Sequence, residues 1–239
     1  MNAPTPHIDF ANPADATAVL KDVAGQLRAG AIVPYLGPAV AALSQPEVPL
    51  GPEALALAKA AKLPWVELFF RHWELQSRIL KRFEGESALG DAVALVDFAH
   101  GDAAQGCPQA VCTVQDLGVA YGIVDGPGYA EERRAVAGET LARIDATWPC
   151  FTCISGEYAS ALVDGGDPRG AIAFLDAQEA KLAAAGKTAS GTNLWGDRMQ
   201  AHLDLALPTG GRATGELRLS GALRRDTCSA DADPISHLC

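Results

Sequence analysis

The chain has 239 residues, 49% of them apolar, which is enough for one sizeable core, and a formal net charge of -10. That charge repels a nucleic-acid backbone or an anionic membrane at long range, so the expected partners are a protein or a small molecule, with no nucleic acid and no membrane. No window reaches the run of about 18 apolar residues that a membrane span needs, and the opening MNAPTPHIDFANPADA has no basic or apolar leader character, so a soluble, cytoplasmic protein is expected.

Residues 1–13 are polar and proline-rich and read as an arm, 14–226 as a single globular domain, and 227–239 as a loose tail. Asp15 or Thr17 caps a helix running to about Arg28, with Val19, Leu20, Val23 and Leu27 on one face, and Gly30 ends it. Ile32 to Leu36 is a short apolar run leading into Gly37-Pro38, and Pro34 marks it as an edge strand. Pro52 opens a second helix through EALALAKAAK. The strongest helical segment is 65–83, where Trp65, Leu68, Phe69, Leu75, Ile79 and Phe83 recur at three- and four-residue steps. His72, within it, reads as a core histidine.

Residues 87–98 suit a helix, although Ala92 to Phe98 is also short enough for a buried strand. His100-Gly101-Asp102 begins a loop carrying Cys107 and Cys112, and Leu117 to Val124 reads as a strand before the Asp125-Gly126-Pro127-Gly128 turn. Helices follow over Tyr129 to Ile144, Pro168 to Ala185 and Asn193 to His202, and Leu203 to Leu207 with Gly215 to Leu223 suggests a hairpin around PTGGRAT. The expected fold is therefore mixed α/β and helix-dominated, a three-layer nucleotide-binding-like core with a C-terminal β-hairpin. A mostly α chain with a small β appendage is the alternative.

The helix, Gly30, apolar run and Gly37 form an arrangement whose backbone amides would approach a pyrophosphate. The stretch Val19 to Val40 resembles the opening of sirtuin-type NAD-binding domains, which lead into a Gly-Ala-Gly-Ser loop where this chain has Gly37-Pro38-Ala39-Val40. The order of later motifs is also similar: His100-Gly101, then Cys107 and Cys112, then Cys150 and Cys153, then Gly191-Thr192-Asn193. The resemblance implies NAD-dependent deacylase ancestry, with His100 as catalytic base, Gly30, Gly37, Gly191 and Thr192 at the nucleotide, and the four cysteines on a structural zinc. Because Ala39 adds a Cβ and Pro38 removes an amide donor at the phosphate loop, weak or no NAD binding is expected.

The six cysteines are Cys107, Cys112, Cys150, Cys153, Cys228 and Cys239. Cys107, Cys112, Cys150 and Cys153 supply four thiolates, enough for zinc or an iron-sulfur cluster if the two loops converge. The other reading of Cys150-x2-Cys153 is a dithiol redox pair at a helix N-terminus. That pattern, with Glu157 four residues further on, resembles the helical peroxidase-reductase members of the carboxymuconolactone decarboxylase family, which carry a histidine where this chain has Glu157. Two functions follow: a nucleotide-binding-like protein resembling a degenerate sirtuin with a cysteine metal site, or a helix-rich accessory or thiol-redox protein using Cys150 and Cys153 on a protein partner.

Overall fold

The computed structural model describes residues 13–30, 50–80, 82–148, 150–188 and 194–206. The helices of these residues are α1 (Pro13–Arg28), α2 (Leu50–Ala60), α3 (Pro64–Leu80), α4 (Gly85–His100), α5 (Ala110–Asp125), α6 (Ala130–Leu141), α7 (Phe151–Asp164), α8 (Pro168–Ala184) and α9 (Leu194–Ala206). No strand occurs among the described residues, which overturns the expected three-layer α/β core. Leu117 to Val124, expected as a strand, is the second half of α5. Its β-branched and aromatic residues suggested a strand, but Gly118, Gly122 and Gly126 recur at four-residue steps, the spacing that lays one helix face against a neighbour. Ala92 to Phe98 lies inside α4, and Leu203 to Ala206, expected in the hairpin, inside α9. Ile32 to Leu36, Gly37, the rest of the hairpin, the tail and residues 1–12 of the arm lie outside the described residues, and Pro13, expected in the arm, opens α1.

Contacts divide the chain into two compact units, Met1–Asp116 and Leu117–Cys239, the division falling within α5. In the first unit α3 packs against α1, α2 and α4. Of its periodic apolar residues Leu68, Phe69, Leu75 and Ile79 are buried, as are Val66 of the same helix, Leu20, Val23 and Leu27 of α1, and Ala88, Ala92 and Leu95 of α4. Trp65 is half-buried, and Phe83, expected on the same stripe, lies past the helix end at Leu80 and is exposed. Phe69 stacks edge-on with Phe70 and Trp73 at centroid distances of 5.3 and 6.1 Å. Gly30 ends α1 with a φ of +90°, the left-handed conformation that glycine adopts without steric cost.

In the second unit α7 is the central element and packs against α6, α8 and α9. Ten of its residues, from Phe151 to Val163, are buried. Phe151 and Ala159 join Leu175 and Leu182 of α8 and Leu194 of α9 in one apolar cluster. The sequence positions α8 by local chemistry: Pro168 occupies its first turn, the Asp167 carboxylate accepts the Gly170 amide hydrogen at 2.8 Å, and Gly186 follows its last turn with a φ of +72°.

Candidate functional site

Cys150 is the N-cap residue of α7, with φ -86° and ψ 6°, and the Ile154 amide donates to its carbonyl at 3.0 Å. Cys153 follows one turn later. Both are buried thiols, exposed by 5% and 4%. From there the polar residues of α7 continue at alternating steps of four and three: Cys153, Glu157, Ser160, Asp164. That spacing places the two thiols, both carboxylates and the hydroxyl along one stripe of the helix.

The lower part of the stripe is organised by Arg133 of α6, whose side chain is 4% exposed. Its two terminal nitrogens donate to Asp164 Oδ2 at 2.6 Å, to Ser160 Oγ at 3.0 Å and to Glu157 Oε2 at 3.3 Å. Burial by itself lowers the Arg133 pKa, but the Glu157 and Asp164 carboxylates more than offset it, so the guanidinium is held charged above its ordinary value.

Two glycines of α5 and one in the turn after it make room for this network. A Cβ built on Gly118 would stand 3.1 Å from Glu157 Oε2, one on Gly122 3.2 Å from the Arg133 guanidinium, and one on Gly126 2.6 Å from Asp164 Oδ2. Because Asp164 is pinned to Arg133, it cannot swing aside. Gly126→Ala is therefore expected to destabilise the protein by about 1–3 kcal/mol in denaturant melts. Gly25→Ala, whose Cβ would meet nothing within 4 Å, is expected to be neutral or stabilising.

A second buried polar cluster lies in the first unit. The Gln109 amide donates to His72 Nδ1 at 2.8 Å, which leaves the proton of a neutral ring on Nε2, 3.2 Å from Asp116 Oδ2. The Gln76 amide donates to the other Asp116 oxygen at 3.5 Å. Burial pushes the His72 pKa down to about 3. His72, Gln109, Thr113 and Asp116 are all buried, so this cluster is part of the core and is closed to any substrate.

His100, the base expected from the resemblance, is exposed at the last position of α4, where a basic residue suits the helix C-terminus. Cys107 lies in the turn before α5 and Cys112 in its first turn; both are buried thiols, and burial pushes Cys107 up to about 11, so it stays protonated at neutral pH. Gly30 is the α1 stop described above, while Gly37, Gly191 and Thr192 lie outside the described residues. Among the described residues no group of three or more His, Cys, Asp or Glu side chains is placed to hold a metal ion. No helix among them is long and apolar enough to cross a membrane.

Sequence reading missed Arg133, Ser160 and Asp164. The available signal was the four-residue glycine spacing in 118–126, which called for a helix whose one face admits bulky polar neighbours. Compared with known proteins, the chain matches no family model, and no curated protein and no solved structure is significantly similar to it.

Proposed function

We propose that the chain is a helical thiol-redox protein in which Cys150 and Cys153 exchange electrons with a disulfide on a protein partner. The observation that carries this reading is the placement of Cys150 at the N-cap of α7 and Cys153 one turn along, both as thiols. Residues three apart on a helix have Cβ atoms about 5–6 Å apart, close enough for a modest shift in the first turn to bring them to disulfide distance.

The exchange conserves atoms and electrons. The Cys150 thiol gives up its proton to solvent and its sulfur attacks the partner disulfide, which releases one partner thiolate and leaves a mixed disulfide. Cys153 then loses its proton and attacks the Cys150 sulfur, releasing the second partner thiolate. The chain ends with a Cys150–Cys153 disulfide, and the partner has gained two electrons and, once its thiolates are protonated, two protons.

Oxidised glutathione tests the reading by intact mass and peptide mapping. The native protein is expected to lose two hydrogens, without a retained glutathione, and to yield one peptide pair joined through Cys150 and Cys153. Cys153→Ser is expected to retain one glutathione on Cys150, because nothing remains to resolve the mixed disulfide. A stable glutathione adduct on the native protein, or thiols at 150 and 153 that never join, would show the reading to be wrong.

A further inference from the structure

We propose that the first unit associates head to tail with a second copy of this chain, Phe83 of one copy entering the groove beside Trp65 of the next. The inference is independent of the thiol chemistry. Phe83 is a bulky aromatic in the left-handed region, with φ +56°, and it is 57% exposed. A large side chain both strained and displayed to solvent is unfavourable for an isolated chain, and such strain persists where its surroundings hold it in place.

Charged pairs supply that hold. Arg78 contacts Glu84 at 3.1 Å and Asp91 at 2.5 Å, and Arg82 contacts Glu74 at 2.9 Å and Glu84 at 3.3 Å. Glu84 thus ties both arginines to the turn that carries Phe83. The three carboxylates outnumber the two guanidiniums, and two of them, Asp91 at 66% and Glu74 at 59%, are more exposed than Arg78 at 22% and Arg82 at 39%. The knob is an aromatic ring in an acidic rim.

The complementary surface lies at the other end of α3. A shallow groove of about 120 Å³ is lined by Ala24, Arg28, Leu63, Pro64, Trp65 and Val66. Its mouth is cationic, since Arg28 and the neighbouring Lys62 are both exposed. Lys62 has a φ of +54°, so the two non-glycine residues with positive φ among those described stand one beside the groove and one at the knob. The volume suits a phenyl ring, and the charges of the two rims are opposite.

One chain cannot close this contact on itself. The groove residues open α3 and Phe83 follows its end, and the helix of 17 residues separates them by about 25 Å. The same two surfaces meet only between copies, as a heterologous contact that repeats from one copy to the next. A single aromatic anchor makes a small interface, so association is weak and concentration-dependent.

Sedimentation velocity up to about 1 mM chain, the weak end of measurable affinity, reads the association directly. The wild type is expected to show a sedimentation coefficient that rises with concentration, and Phe83→Ala and Trp65→Ala each to remain monomeric. Phe83→Gly relieves the left-handed strain, so it is expected to melt no lower than wild type and yet stay monomeric, which separates loss of the knob from loss of the fold. An equimolar mixture of Phe83→Ala and Trp65→Ala keeps one intact groove and one intact knob and is expected to form dimers and nothing larger. Where Trp65→Ala fails to fold, Arg28→Glu serves as the groove variant. A wild type that stays monomeric throughout, a Phe83→Gly variant that associates like wild type, or a mixture that remains monomeric would overturn the proposal.

Discussion

Arg133→Met is expected to destabilise the protein by about 3–5 kcal/mol, the loss seen when one partner of a buried ion pair is removed. Arg133 is 4% exposed and its partners Glu157 and Asp164 are 17% and 11% exposed, so two nearly dry carboxylates would lose their guanidinium. The desolvation of those carboxylates, more than the attraction lost, makes the change costly. Methionine fills the volume of the arginine stem, which limits any cavity. Arg133→Met combined with Glu157→Gln removes one of the stranded charges and is expected to recover part of the loss. Urea denaturation of the two variants checks this, and equal destabilisation in both would show that Glu157 is not held by Arg133.

Acid is expected to destabilise the first unit through His72. Burial puts the folded pKa near 3 against 6.5 for the exposed ring. As the pH falls through 6.5 the unfolded chain binds a proton that the folded chain refuses, so the histidine's contribution is fully present above 6.5, declines below it, and stops changing near 3. A shift of that size corresponds to at most about 4–5 kcal/mol over the whole window. His72→Gln cannot take up the proton, and its stability is expected to fall less steeply than that of wild type between pH 6.5 and 4.5. Chemical denaturation across that range reads the difference in slope, and parallel curves would mean that the ring already carries its proton in the folded state beside Asp116.

The legible parts of the fold were those written in local periodicity. Leu68, Phe69, Leu75 and Ile79 are buried on α3 as their spacing describes, whereas Trp65 is only half-buried and Phe83 falls beyond the end of the helix. The Pro168 opening of α8 and the Gly30 stop of α1 are likewise local chemistry. The second half of α5 was misread because Leu117 to Val124 is apolar, β-branched and short, and only its glycine spacing argues for a helix. Arg133 was not legible, since a charged residue in AEERRAVAGETL reads as solvated surface and its partners lie 24 and 31 residues away. Of the candidate site, the Cys150 and Cys153 pair and Glu157 were visible from spacing on one helix, but the network beneath them required the packing of α5, α6 and α7.

The functional reading rests on Cys150 and Cys153 acting as one two-electron couple. Equilibrating the native protein in glutathione buffers of graded ratio, then quenching and mapping its cysteine peptides, measures this directly. The result expected is a single transition, with about 30 mV per tenfold change in the ratio of oxidised to reduced protein, confined to the peptide pair joined through Cys150 and Cys153. Cys107 and Cys112 are expected to remain thiols throughout. The result that would contradict it is a protein whose Cys150 and Cys153 stay reduced in fully oxidised glutathione, or whose cysteines oxidise without preference for that pair.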